Sequence, residues 1–311
     1  MTPSISILMA TYNGQAYLGE QLDSIFVNSY PHVHLHIRDD ASTDGTWDIL
    51  THYRSLHPER ITLYRNEHNS GNARHTFFQL MTTVRDDYLM LCDQDDVWLP
   101  HKIATSLSAV QTLENQHTAN TPVLVRSNVT IVDSDLQTIA DSYATYMNAN
   151  FHRTHLAQVL IQNTAPGCGM IYNRALAERL AQAPTYCIMH DWWLELMAAA
   201  FGMLGHIQEP TLLYRQHSAN EIGVKPVTSL SYKLSRLANL SGVKHAINIT
   251  YDQAQNFLNL YGDQLAPEQL AMVRAYCNIP SQTKYNKLRT IGRLGAYKNG
   301  LSRNIMYLLV V

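Results

Sequence analysis

Short apolar runs closed by polar turns set the rhythm of the first hundred residues. Residues 5–10 are one such run, closed by Thr11-Tyr12-Asn13-Gly14, and predict a buried strand ending in a turn. Tyr17, Leu18, Leu22, Ile25 and Phe26 then recur at helical spacing, until Tyr30-Pro31 stops the helix. The same reading predicts strands over 34–38, 61–64 and 88–92 and helices over 47–56 and 71–81. Farther on it predicts a strand over 123–132, a turn at Asp133-Ser134-Asp135 and a helix over 156–162. Pro166-Gly167-Cys168-Gly169-Met170 reads as a loop entering a strand. Helices over 174–181 and 191–201 and a short strand over 211–214 follow. From about Val224 the pattern is helical and rich in Leu, Tyr, Asn and Lys.

Alternating strands and helices predict an α/β fold with a mainly parallel sheet. Ligands of such sheets gather at the carboxyl ends of the strands. The strand ends at Asn13, Asp40 and Asp96 would then surround one crevice. The expected organisation is a catalytic domain over 1–223 and a helical extension over 224–311. Within the first, a nucleotide-sugar half over about 1–100 precedes an acceptor half over about 101–223.

Asp93-Gln94-Asp95-Asp96 is the sharpest chemical signal. Three carboxylates within four residues repel one another unless a cation or solvent screens them. Oxygen ligands of this kind suit Mg²⁺ or Mn²⁺; a solvated acidic turn capping the next helix is the bland reading. Asp39 and Asp40 also follow an apolar strand, and a carboxylate there either accepts hydrogen bonds from a nucleoside or builds a turn. His217 could complete a metal site or bond a phosphate, and Arg215 could pair with diphosphate oxygens. Trp192 and Trp193 offer rings for stacking on a sugar, with core packing favoured for one of the two. Cys168 has no activating base nearby in the chain and reads as packing. His32, His34 and His36 alternate as one strand face does, which suits a surface better than a metal cluster.

Ile7 to Asn13, Asp39-Asp40-Ala41-Ser42-Thr43-Asp44-Gly45-Thr46 and Asp93-Gln94-Asp95-Asp96 resemble the three signatures of family-2 glycosyltransferases, in the family's order. Pro166-Gly167-Cys168-Gly169-Met170 with Asn173-Arg174, His190-Asp191-Trp192-Trp193, and Tyr214-Arg215-Gln216-His217-Ser218-Ala219-Asn220 resemble its rhamnosyltransferase-like branch. The resemblance covers residues 4–222. It implies a GT-A fold, Rossmann-like with one mixed sheet, and inversion at the anomeric carbon. It also implies a nucleotide-diphosphate sugar donor and a glycan or lipid-linked saccharide acceptor in cell-envelope polysaccharide synthesis. By the same resemblance Ala10, Thr11, Tyr12 and Asn13 line the base pocket and Asp40 holds the base. Arg74 contacts nucleotide or phosphate, and Asp95 faces the ribose. Asp96 leads a metal set with Asp95, Asp93 and His217, binding Mn²⁺ or Mg²⁺. Asp191 is implied as the general base, although many relatives carry Glu where this chain has His190. Trp192 and Trp193 would meet the acceptor. The branch points to dTDP-L-rhamnose; a UDP-hexose donor, glucosyl or galactosyl, is the alternative.

Composition adjusts this picture in three places. With 46% hydrophobic and 15% charged residues, the 311-residue chain can bury a sizeable core. A net charge of -2 gives no reason to expect nucleic acid as a partner. The charge is uneven, however: no acid follows Glu268, whereas Arg274, Lys284, Lys287, Arg289, Arg293, Lys298 and Arg303 do. Lys284 to Val311 interleaves basic and apolar positions at helical spacing, which suits either peripheral contact with an anionic membrane or a helical pair packed on the domain. The start shows no signal-peptide pattern, and no run is long enough to span a bilayer. Four scattered cysteines read as free thiols. The expected location is cytoplasmic, including the inner face of the cell membrane. Two rivals remain. An aspartyl phosphatase needs paired acids at the end of the first strand, where Asn13 stands. A non-catalytic sugar-binding module predicts that Asp191→Asn changes nothing measurable.

Overall fold

The structure, a computed structural model, describes residues 2–28, 30–118, 120–218, 220, 223–224, 227 and 229–311, with the backbone alone at 230, 231, 233 and 234. Ala219 of the motifs above lies outside the described residues. The chain divides into two compact units: Met1–Tyr143, Ala165–Ala183 and Gly202–Val224 in one, and Ala144–Thr164, Pro184–Phe201 and Lys225–Val311 in the other.

The first unit opens with the predicted alternation. β1 (Ile5–Thr11) is buried along its length, as a strand covered on both faces must be. α1 (Leu18–Phe26) buries Leu18, Leu22 and Ile25, the stripe of an amphipathic helix. β2 (Val33–Asp39) buries Val33, Leu35, Ile37 and Asp39 and leaves His34, His36 and Arg38 half-buried. His34 and His36 bond Thr62 and Tyr64 of the next strand, at 2.8 and 3.2 Å. α2 (Thr46–Leu56), β3 (Ile61–Arg65), α3 (Ala73–Thr83) and β4 (Tyr88–Cys92) complete this half. β5 (Val97–Trp98) and α4 (Lys102–Glu114) follow without a predicted counterpart. α4 escapes a hydropathy reading because Lys102 and Ser106 occupy its buried face beside Ile103, Leu107 and Val110.

β6 (Val123–Val132), β7 (Thr138–Ala140), α5 (Tyr143–Tyr146) and α6 (Leu156–Ile161) precede β8 (Met170–Asn173) and α7 (Arg174–Arg179). α8 (His190–Phe201) then leads into β9 (Met203–Arg215). β9 is far longer than the predicted 211–214. Its register against β6 shifts between Ser127 and Asn128, so Gln208 and Glu209 bulge ahead of Pro210 and break the apolar alternation. Among the described residues the strands form one sheet of order β3-β2-β1-β4-β8-β6-β9-β5, with β7 on β6. β3, β2, β1 and β4 are parallel, as are β6 and β9. β8 runs antiparallel to both of its neighbours, and β5 antiparallel to β9. Most of the paired length is parallel, and the sheet is mixed as expected. One continuous core under α1 and α4 joins Ile7, Met9, Leu35, Met90, Ile103, Val125 and Ile171.

The second unit is helical. α9 (Leu230–Ala238), α10 (Leu240–Tyr261), α11 (Pro267–Cys277), α12 (Lys284–Leu294) and α13 (Leu301–Val310) form the predicted helical end. α6 and α8, earlier in the chain, belong to this unit too. Its core is aromatic: Trp193 meets Phe257 edge-on at 5.4 Å, Phe257 meets Tyr261 at 5.2 Å, and Tyr251 meets Tyr276 at 5.0 Å.

Candidate active site

The site of the first unit grows from loops after three neighbouring parallel strands. The N–H of Tyr12 donates to Gln94 Oε1 at 2.9 Å, and Gln94 Nε2 donates back to the Tyr12 carbonyl at 3.0 Å. One amide side chain thereby clips the loop after β1 to the acid loop after β4. Asn13, at φ 47°, donates its N–H to Ser42 Oγ at 2.9 Å and accepts that of Thr43 at 2.8 Å. The loop after β2 turns at Ala41, whose φ of 60° costs an L-residue about 1–2 kcal/mol. Buried Asp39 holds that turn, accepting the Ser42 N–H at 3.0 Å and the Thr11 hydroxyl at 3.1 Å. Ala10 and Thr11 are buried beneath, while the Tyr12 ring is exposed over the loop.

Asp40 points toward the loop after β3. Its carboxylate accepts Asn66 Nδ2 at 2.6 Å, the Ser70 N–H at 3.0 Å and the Ser70 hydroxyl at 2.8 Å. Neither Asn66 nor Ser70 carried a sequence signal, because polar loop residues without a neighbouring motif look alike. Arg74 stands half-buried in the first turn of α3, behind the Asn72 cap.

The three acids of the β4 loop separate. Asp95 Oδ2 pairs with His217 Nε2 at 2.8 Å, and the His217 ring lies 4.6 Å from that of Tyr17. Asp96 is fully buried; its Oδ1 accepts the Arg215 N–H at 3.0 Å. The β5–β9 pairing causes this contact, since it sets Val97 opposite Leu213 and so brings the ends of both strands together. The Arg215 side chain, 2% exposed, is engaged throughout. Nε donates to the Asp95 carbonyl at 2.7 Å, Nη1 to the Ser134 carbonyl at 2.6 Å, and Nη2 pairs with Glu20. Its guanidinium also lies 4.6 Å from the Tyr17 ring. Arg215 in this arrangement straps the acid loop and has little surface left to offer a phosphate.

Asp93 and Asp96 converge with Cys168, their ligand atoms all within 4.8 Å of one another. Asp96 Oδ2 has no N–H or hydroxyl donor; its close polar neighbours are the Cys168 thiol and the other two acids. Burial, then Asp95 and Asp93, push the Asp96 carboxyl well above the usual carboxylate range. Burial, then Asp96 and Asp93, push the Cys168 thiol up and favour its protonated form. Two converging carboxylates, half-buried Asp93 and fully buried Asp96 with a vacant oxygen, fit a divalent cation with oxygen preference. The thiol would be a softer third ligand. Cys168, which the sequence assigned to packing alone, is both buried and in this group.

A cation of the chain itself lies behind the acids. Lys102 is fully buried, its Nζ donating to the Cys168 carbonyl at 2.9 Å and Thr211 Oγ1 at 3.3 Å, 4.6 Å from the Trp98 ring. Burial lowers its pKa to about 8, while the thiols and acids around it pull the other way. The available signal was a lysine on the apolar face of a helix shortly after the acidic motif.

Asp191 belongs to the second unit. It is nearly buried in the first turn of α8, bonded to the Trp192 N–H at 2.6 Å and to Asn163. Burial, then Glu195 one turn on, raise its pKa to about 7. Burial lowers that of His190 to about 3, so its imidazole is neutral. Trp193 is wholly buried in the aromatic core, whereas half-buried Trp192 donates Nε1 to the Val159 carbonyl at 2.6 Å. Core packing therefore claims Trp193 of the pair.

Residues 6–180 match the family described as Glycosyl transferase family 2. The dTDP-rhamnosyl transferase RfbG of Shigella flexneri is 26% identical over 237 residues, covering 72% of this chain and 77% of the relative. Among solved structures, TarS residues 1–349 of S. aureus with UDP-GlcNAc align at a TM-score of 0.55 and 14% identity, over 94% of this chain and 93% of that one. The mannosyltransferase PcManGT of Pyrobaculum calidifontis, in complex with GDP-Man and Mn²⁺, aligns at 0.50 and 15%, over 99% and 79%. These likenesses identify the sheet and its helices as the GT-A fold. With more than half of its length matched, the chain belongs to glycosyl transferase family 2 and is a nucleotide-sugar-dependent glycosyltransferase.

Proposed function

We propose that the enzyme transfers L-rhamnose from dTDP-L-rhamnose to a hydroxyl of a growing cell-surface glycan, inverting the anomeric carbon in a single displacement. The observation that carries the transferase reading is the convergence of Asp93 and Asp96 at the sheet's carboxyl edge, with Asp40 and Asp95 presented from the same edge. The similarity to RfbG over most of both chains supports the rhamnosyl donor. Tyr12, Asn13 and Asp40 would seat the base, with Asp40 accepting an N–H from it, and Arg74 would face the phosphates. Asp95, oriented by His217, would accept from the ribose. Asp93 and Asp96, with Cys168 beside them and Asp95–His217 adjacent, would hold Mn²⁺ or Mg²⁺. When bound, that ion supplies Lewis-acid neutralisation of the charge developing on the departing diphosphate.

Asp191 takes the proton of the attacking acceptor hydroxyl. An alcohol surrenders a proton poorly, and a base with a pKa near the working pH is the effective one. Asp191, raised to about 7, meets that condition. Trp192, the wetter of the two tryptophans, is the candidate platform for the acceptor sugar. One displacement from the face opposite the diphosphate needs a single base and no covalent intermediate.

Thermal melting with a panel of nucleotide sugars and Mn²⁺ tests the donor. The expected result is the largest stabilisation by dTDP-L-rhamnose. Stabilisation by UDP-glucose or UDP-galactose alone would transfer the assignment to a UDP-hexose enzyme of the same fold.

A further inference from the structure

We infer that α12 and α13 form a docking surface for an anionic lipid bilayer. α13 is held by one face, through buried Met306 and Tyr307. Its other face shows Leu301, Ile305 and Leu309 to solvent, at 79%, 51% and 62% exposure. Spaced four residues apart, they line one stripe about 12 Å long. Lys284, which opens α12, donates to the carbonyls of Leu308, Leu309 and Val311 at 2.7, 3.0 and 2.8 Å. That contact seats the first turn of α12 against the last turn of α13, so Tyr285, 74% exposed, stands in the turn neighbouring the stripe. Arg289 and Arg293 are exposed along α12, and Lys287 is half-buried there. No acid follows Glu268, so this segment offers those cations no opposing charge.

Apolar side chains beside cations that meet no acid in their own segment complement a surface that is apolar within and anionic at its headgroups. No helix among the described residues is long and apolar enough to cross a membrane, so the stripe suits a helix lying in the interfacial plane. A second copy of the chain is the weaker occupant. Three aliphatic side chains and a tyrosine fall well short of the ~800 Å² that each partner buries in a stable interface.

Flotation of the full chain with vesicles tests the inference. Binding is expected to vesicles containing about one third phosphatidylglycerol, and to weaken near ~1 M salt, where the screening length is about 3 Å. Pure phosphatidylcholine vesicles should retain little. The double variants Ile305→Ser/Leu309→Ser and Arg289→Glu/Arg293→Glu should each lower binding by about tenfold or more. Both alter exposed side chains, so melting temperature and donor binding should stay unchanged. Failure to bind the anionic vesicles, or binding by both variants as strong as that of the wild type, would overturn the proposal. So would a concentration-dependent dimer that Ile305→Ser/Leu309→Ser dissolves while vesicles capture nothing.

Discussion

Asp191 carries its carboxyl one residue into α8, with Glu195 a helical turn away and Asn163 and the Trp192 N–H as donors. Raising its pKa from 3.8 to about 7 has a thermodynamic consequence as well as the catalytic one proposed above. Between those values the folded chain keeps a proton that the unfolded chain has lost. The group's contribution to stability is therefore complete below pH 4 and disappears as pH rises through 7. Asp191→Asn should match the wild type near pH 4 and exceed it by up to about 4 kcal/mol near pH 8, read from melting curves. The same variant should lose about a hundred- to ten-thousandfold in kcat while keeping donor affinity, and the wild-type rate should fall as pH drops below 7. Unchanged turnover would remove Asp191 from the role of base. Gln94 makes a different kind of contribution, gripping both backbone groups of Tyr12. Gln94→Ala removes two hydrogen bonds and should weaken nucleotide affinity by about 1–2 kcal/mol in calorimetry, with melting temperature little altered. The acids were legible because three of them crowd four positions. Gln94 was not, since an amide between two aspartates means nothing until its partner loop is known.

At the scale of elements, β9 does more than its predicted four residues suggested. It runs beside β6, turns over a bulge at Pro210, pairs with β5 and delivers Arg215 to the acid loop. Its entry is sterically tight, for a Cβ on Gly202 would lie 1.8 Å from the Pro122 carbonyl oxygen. Gly202→Ala should therefore force β6 and β9 apart at their start and cost about 3 kcal/mol, visible as a lowered urea midpoint. The long strand was hidden because Gln208, Glu209 and Pro210 interrupt its apolar pattern, and α4 because a buried lysine occupies its core face. Periodicity finds elements with an unbroken apolar face; α4 carries a lysine inward, and exposed Gln208 and Glu209 interrupt β9. β1 and β4 were legible for the opposite reason: each is a mainly apolar run buried along its whole length.

Across the whole molecule, a cation held by the converging acids as proposed would make donor binding and cation binding one linked equilibrium. A chelator should abolish the stabilisation that the nucleotide sugar confers, and Mn²⁺ or Mg²⁺ should restore it. Without donor, the chelator should leave the melting temperature nearly unchanged, because the sheet and its core do not depend on the acid loop. Donor stabilisation that persists in chelator would sever that link. Chain order and contact order also part company at this scale, since α6 and α8 leave the first 223 residues to pack with the C-terminal helices. The sequence by itself determined the alternation of strands and helices, the polar loops at the strand ends, the crowding of three acids in one loop and the basic, apolar character of the last helices. Those properties reside in local spacing, and burial acts on them residue by residue. Only the tertiary structure decided which acid faces which partner, that Cys168 and Lys102 lie against the acids, that Arg215 is a strap and that Trp193 is core. Each of these depends on strands brought together from distant parts of the chain, where sheet register sets the distances.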